Sequence, residues 1–387
     1  MKRLILALLT LMLLAPAAFA QTAAEITGRC TLSGAGKKTL ERMTDGDYRT
    51  HWDSSSNSFA YVEIEAEEAI GGVYVQFYDE AAAFEVQAKD ESGAWQTVAE
   101  QDGAFLAEYA ALDAGAKAVR IRPKDGKGRL FIAELHIFGE GDAPDWVQQW
   151  EAPLAKADLL ALAAHPDDEI LFLGGTIPYY AGEMGKKVQV AYLVPTMPYR
   201  RLELLDGLWL CGVKNYPMIG HFPDKYQLTL KGMYEQKGWS RESVYRFVAE
   251  AYRACRPDVV VTQDVNGEYG HGAHRAAADA AQAAIALAAD ETYQEKMTNG
   301  EPWQVKKLYI HLYEQNPVKM DWRKPLTAFD GQTAFEIACR AFECHISQQK
   351  TDYHVEDFGP YDNSKFGLAY SAVGEDVEKN DFFENLE

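Results

Sequence analysis

The chain has 387 residues, with 38 Lys and Arg against 58 Asp and Glu, and a net charge of −20 at pH 7. A surface of that sign repels phosphate backbones and anionic lipid, which excludes nucleic acid as an expected partner. Single cores stop growing near about 250–300 residues, so a chain this long is expected to fold as more than one domain. Five cysteines, an odd number, cannot all pair within one chain. Cys339 and Cys344 are five apart in a predicted helix, on poorly matched faces for a bridge, and Cys30 has no partner nearby. With Cys211 and Cys255 they read as thiols rather than a disulfide framework.

Residues 1–20 read as a cleavable export signal: Lys2 and Arg3, an apolar core over Leu4–Leu14, and the small-residue site Ala18-Phe19-Ala20. That core is short for a membrane span, and no later run is long and apolar enough to act as one, so membrane insertion is not expected. Removal of Lys2 and Arg3 takes the net charge to −22. Residues 21–140 lack helical periodicity. Short alternating runs appear instead at Tyr61–Ile64, Gly72–Tyr78, Phe84–Ala88, Ala118–Ile121 and Leu130–Phe138, separated by Gly, Asp and Ser, and this pattern predicts an all-β sandwich. Residues 141–156, with Pro144, Pro153 and two tryptophans, read as a partly packed linker.

From residue 157 to 387 strands and helices alternate. Strands are predicted up to Ala163 and at Val188–Val194, Tyr216–Ile219, Val259–Thr262 and Lys307–Tyr313. Helices are predicted near Gly174–Gly182, Arg200–Cys211, Arg241–Cys255, Ala276–Ala289 and Thr333–Gln348. This order predicts an α/β domain with a mainly parallel sheet covered by helices on both faces. The acidic tail carries Phe366, Leu368 and Tyr370, so it is expected to pack back on the domain.

Two clusters carry the chemistry, each where a parallel strand would end and where open α/β sheets place their ligands. In the first, Ala164-His165-Pro166-Asp167-Asp168-Glu169, His165 and Asp168 are close enough to share one divalent cation, and mixed nitrogen and oxygen donors suit zinc. Asp167 between them is left free to act as a base. Glu169 reads as an orienting or helix-start residue. The second cluster is Tyr269-Gly270-His271-Gly272-Ala273-His274, ahead of an alanine-rich helix. One of its histidines could complete a His/Asp/His set while the other faces substrate. Three protein ligands with a fourth position for water is the pattern of catalytic zinc. Arg200 and Arg201 could offer donor forks to sugar hydroxyls or an anion, or form a solvated basic turn. His345 could support the site or be an ordinary helix-end histidine.

With A-H-P-D-D-E, Gly174-Gly175-Thr176 and Y-G-H-x-x-H in place, residues from Ala157 onward resemble the LmbE/PIG-L-type N-acetylglucosaminyl deacetylases. Weaker matches are Arg200-Arg201-Leu202-Glu203, Cys211-Gly212-Val213 and His345-Ile346-Ser347-Gln348. The resemblance implies a Rossmann-like fold and one zinc held by His165, Asp168 and His274. It also implies Asp167 as general base, with His271 and Tyr269 beside the scissile carbonyl. Members often carry H-P-D-H where this chain has Gly272-Ala273 as the middle pair, which removes a carboxylate that could orient a histidine.

In the first domain, Thr44-Asp45-Gly46-Asp47 with Thr50 and Trp52, Trp95, Val119-Arg120-Ile121 and Ile132–Gly139 resemble discoidin-like (coagulation-factor type C) domains. That resemblance implies a jelly-roll sandwich that binds glycans. Asp45 and Asp47 could hold a structural calcium through their carboxylates, or simply form a Gly-Asp turn. The whole reads as an exported zinc hydrolase removing acetyl from N-acetylhexosamine units of glycans. The alternatives are a glycan-binding protein with an inactive hydrolase domain, or a zinc amidase on a non-sugar acyl amine.

Overall fold

The computed structural model describes residues 21–34, 39–54, 60–90, 92–126, 128–296 and 300–386, and the predicted leader lies outside them. The alternating N-terminal segment forms β1 (Thr31–Gly34), β2 (Trp52–Asp53), β3 (Val62–Phe77), β4 (Phe84–Lys89), β5 (Trp95–Gln101), β6 (Ala107–Pro123) and β7 (Phe131–Phe138). Their order is β2-β7-β3-β6-β4-β5, with β1 on β3, and every pair is antiparallel. Two runs predicted as separate strands are the halves of β3, joined where its register against β6 shifts between Glu65 and Gly72. Bulged strands bend and twist, so one continuous sheet closes on a core that includes Trp52, Phe77, Phe84 and Phe138. The expected sandwich is therefore a single hydrogen-bonded sheet. Alternation in the sequence tells which residues face inward, and not whether the strands join across an edge.

The calcium expectation finds no support. Asp45 accepts hydrogen bonds from the Asp47 amide at 3.0 Å and the Thr50 hydroxyl at 2.8 Å, while Asp47 accepts from the Arg49 amide at 3.0 Å. Both carboxylates tie up their own turn, as Asx residues do.

The second sheet is built from β8 (Leu159–Ala163), β9 (Val188–Tyr192), β10 (Met218–Ile219), β11 (Val259–Thr262), β12 (Lys307–His311), β13 (Pro317–Lys319) and β14 (Lys365–Ser371), in the order β10-β9-β8-β11-β12-β14-β13. The first five run parallel, and β14 is antiparallel to both neighbours. Among the described residues the α-helices that accompany it are α1 (Asp168–Leu171), α2 (Pro198–Leu210), α3 (Leu230–Tyr234), α4 (Arg241–Cys255), α5 (Gly272–Ala289) and α6 (Ala334–Glu343). β8 is apolar at every position because both of its faces are covered. Leu159, Ala161 and Ala163 belong to the core shared with α2 and α6, while Leu160 and Leu162 belong to the one shared with α4 and α5.

Two expectations needed adjustment. The helix predicted at Gly174–Gly182 is found at Thr176–Glu183, α-helical for its first two residues and π-helical over Pro178–Glu183. Pro178 lacks an amide to donate, and Gly174 sits at φ +54° against the Asn363 side chain, where any Cβ would clash. The acidic tail does pack back, but as a sheet strand: β14 inserts between β12 and β13. All five cysteines are unbridged. No helix among the described residues is long and apolar enough to cross a membrane.

The two sheets meet along α2. Asp206, half-buried in this helix, accepts from the Tyr48 hydroxyl of the N-terminal sheet region at 2.7 Å and from Gln148 of the linker at 2.6 Å. The Trp209 indole donates to the Asp145 carbonyl at 2.7 Å. Burial raises the Asp206 carboxyl to about 7, although Tyr48 and Gln148 pull it down. A carboxyl raised in the folded state keeps a proton that the unfolded chain releases, so folding loses stability as pH rises from about 4 through 7. Three pH units correspond to on the order of 4 kcal/mol. Asp206→Asn has no proton to lose. Its melting temperature is expected to fall less between pH 5 and 8 than that of the unaltered protein, and parallel curves for the two would refute this.

Candidate functional site

The C-terminal ends of β8 and β11 bring the two histidine clusters together. His165, Asp167 and Asp168 follow β8, and His271 and His274 open α5; all five are buried. Asp168 Oδ2 lies 3.0 Å from His165 Nδ1 and 3.3 Å from His274 Nε2, and it also accepts the His165 amide at 2.7 Å. Burial would raise the Asp168 carboxyl, but the His274 and His165 imidazoles outweigh it and hold it well below the usual carboxylate range. Among the described residues, the one trio of His, Cys, Asp or Glu donor atoms poised for a metal is His165, His271 and His274, with all atoms within 4.8 Å of one another.

Hydrogen bonding distinguishes these imidazoles. His274 Nδ1 lies 2.8 Å from Glu268 Oε2 and its Nε2 faces Asp168, and although burial works against the charged ring, those two carboxylates outweigh it and raise the His274 pKa. His271 is reversed. It caps α5 by accepting the Ala273 amide on Nδ1 at 3.2 Å, which in the neutral ring puts the proton on Nε2. Burial, then the neighbouring His165 and His274, lowers the His271 pKa to about 3, so the ring is neutral and is a donor at Nε2. The set expected from the sequence, His165, Asp168 and His274, has Asp168 Oδ2 beside His165 Nδ1 and His274 Nε2, with His271 as a further imidazole in the same cluster. Two ligands on tetrahedral zinc at ~2.0–2.1 Å stand about 3.3 Å apart, close to the separations observed.

Glu268 was missed in the sequence. It is fully buried and bridges two histidines, with Oε1 2.6 Å from His311 Nδ1 on β12 and Oε2 on His274. Burial alone would raise its pKa, yet the His274 and His311 hydrogen bonds hold it at about 2. The available signal was an acidic residue one position before Tyr269, in a loop that follows a buried strand.

Asp167 sits at φ 108°, a conformation rare outside glycine. Its amide donates to Glu169 Oε2 at 2.9 Å, and Arg200 Nη2 pairs with its Oδ2 at 3.0 Å while donating to the Pro166 carbonyl at 2.5 Å. Backbone strain held by such contacts is typical of functional positions. Burial pushes the Asp167 carboxyl up to about 7, against the pull of Arg200. Tyr269 also has positive φ, at 44°, and its hydroxyl lies 3.4 Å from His274 Nε2. Burial holds that hydroxyl protonated, with its pKa well above the ordinary value.

The two arginines expected as substrate forks part company. Arg200 lines the pocket, but its guanidinium is engaged by Asp167 and Pro166. Arg201 reaches out of the site to Asp79 of the N-terminal sheet region. His345 is buried behind the pocket, with Nε2 3.7 Å from Glu169 Oε1. Gly207 of α2 lets it approach, because a Cβ there would stand 3.1 Å from the Ala341 carbonyl and 3.4 Å from the His345 ring.

Residues 160–285 match the family model described as GlcNAc-PI de-N-acetylase, PIG-L. The match falls within the α/β half of the chain, which is similar there to domains of the PIG-L/LmbE type. A 1D-myo-inositol 2-acetamido-2-deoxy-alpha-D-glucopyranoside deacetylase of Streptomyces scabiei is 32% identical over 186 residues, 41% of this chain and 57% of the relative. The deacetylase of the same description from Rhodococcus erythropolis is 28% identical over 289 residues, 59% of this chain and 97% of the relative. The chain spans 57% and 65% of the lengths of the first two curated relatives it matches. Over the N-terminal part, the F5/8 type C domain of a Bacteroides fragilis protein aligns at 14% identity, covering 31% of this chain and 96% of that domain, with a TM-score of 0.26.

Proposed function

We propose that this protein is an exported, zinc-dependent hydrolase that removes acetyl from N-acetylhexosamine units of glycans. The α/β domain would be Rossmann-like, and the N-terminal region a discoidin-like module. Convergence of His165 Nδ1, Asp168 Oδ2 and His274 Nε2 beside the strained Asp167 carries the reading. The relatives' descriptions, deacetylases of an acetamido-glucopyranoside, support the substrate class. Export rests on the Lys2–Ala20 pattern.

Zinc held by those three residues would lower the pKa of water from ~15.7 to about 7 and polarise the acetamide carbonyl. The chain supplies the rest. Asp167 takes the proton of the attacking water as oxygen bonds to the carbonyl carbon, and it returns that proton to the nitrogen as the C–N bond breaks. Acetate and the free amine leave. His271 Nε2–H and the Tyr269 hydroxyl face the pocket as donors for the carbonyl oxygen when it gains charge. Arg200 holds Asp167 in place, and Glu268 fixes the His274 tautomer, the role an outer carboxylate plays for a metal-binding imidazole. The N-terminal module braces α2, the helix that carries Arg200, through Tyr48 and Asp79.

The test is acetate release from a panel of N-acetylhexosamine glycans. Release that a chelator stops and zinc restores is the expected result. Binding of those glycans without release would favour a lectin-like protein, and acetate only from non-sugar acyl amines would favour an amidase.

A further inference from the structure

The catalytic pocket is small. Its volume is about 140 Å³, enclosed by His165, Asp167, Asp168, Arg200, Tyr269 and His271, with Asp224, Gln348 and Tyr353 at its mouth. Pockets that swallow a whole ligand run to about 300–1,000 Å³. This one has room for the acetamido end of a substrate, so the remainder must lie across the rim.

The rim is built from aromatic rings turned outward. Tyr226, from the loop after β10, is 68% exposed, and Tyr353, from the segment after α6, is 41% exposed. Each leans on a residue of the pocket. The Tyr226 ring centroid is 5.4 Å from that of His271, at an interplanar angle of 64°. The Tyr353 ring is 5.2 Å from Tyr269, at 31°. Leu228, half exposed, adds an apolar edge beside Gly270. The Asp224 carboxylate and the Gln348 amide stand at the same mouth. Large exposed apolar groups gathered at one opening mark an interaction surface rather than ordinary surface scatter. Rings with polar groups between them suit a ligand that has C–H faces and hydroxyl edges, which describes a pyranose. A purely apolar chain would cover the Asp224 carboxylate, which stands 3.9 Å from His165 Nε2, and the Gln348 amide without offering either a hydrogen bond.

We propose that Tyr226 and Tyr353 form an aromatic collar that receives the sugar ring next to the acetamido sugar, so that the substrate is an oligosaccharide or polymer rather than a free N-acetylhexosamine. This rests on the deacetylase reading above. The test compares binding to the Asp167→Asn protein with turnover by the unaltered one. Ligands are N-acetylglucosamine, its β-1,3-, β-1,4- and α-1,4-linked disaccharides with a second hexose, and its octyl glycoside. At least one disaccharide should bind about tenfold tighter than the monosaccharide and show a KM lower by a similar factor. Tyr226→Ala with Tyr353→Ala should erase that gain, while Phe at both positions should keep it. Equal binding of free sugar and every disaccharide, a gain that survives both alanines, or an equal gain from the octyl chain would each overturn the collar. Loss of turnover on every ligand, with the disaccharide binding gain intact, would instead refute the deacetylase reading and leave the collar standing.

Discussion

Asp167→Asn is expected to lower kcat by the ~10²–10⁴ that a lost general base costs while bound zinc is retained. The side chain keeps its shape and loses its basicity. Its neighbours explain why metal should stay: Arg200 and the Pro166 carbonyl hold one side of the residue, and Glu169 accepts its amide from the other. None of these contacts belongs to the His165, Asp168 and His274 donor set. The strained backbone at φ 108° is fixed by the amide bond to Glu169, which the substitution leaves intact. Metal content and kcat measured on the same preparation decide the matter. Zinc lost along with activity would make Asp167 a ligand, and undiminished kcat would move the base elsewhere.

His274→Ala should remove both zinc and acetate release. Nε2 is lost from a set of three, and Glu268 is left fully buried with His311 as its remaining imidazole partner. A buried carboxylate deprived of a partner is strongly destabilising, so the variant is also expected to melt at lower temperature. Glu268→Gln separates the two effects. It keeps every candidate ligand and removes only the carboxylate behind His274, a change that usually costs 10–100-fold in metal affinity or activity. Metal titration of both variants provides the check: full occupancy in His274→Ala would take that residue out of the ligand set.

Short-range features were legible in the sequence. The A-H-P-D-D-E and Y-G-H-x-x-H segments each follow an apolar strand, and a strand end fixes where the next few side chains can go. The capped helix α4 falls at Arg241–Cys255 as read, because the amphipathic period and the Ser240 cap are both local. Pairings across long separations were not legible. The Arg201 contact with Asp79 spans 122 positions and the Glu268 contact with His311 spans 43, and no period or motif announces either. The tail strand β14 was hidden for the same reason, since its place between β12 and β13 depends on partners far along the chain.

By itself, then, the sequence determined that His165, Asp167, Asp168, His271 and His274 stand just past the ends of strands, but not that Glu268 and His311 back them. Tertiary structure alone decided the state of each imidazole. His271 and His274 are three apart with the same side chain, yet packing puts Nδ1 of one on the Ala273 amide and Nδ1 of the other on Glu268, so burial lowers the pKa of the first while Asp168 and Glu268 outweigh burial and raise that of the second. An imidazole takes its tautomer from whatever its far nitrogen meets, and that neighbour is set by packing.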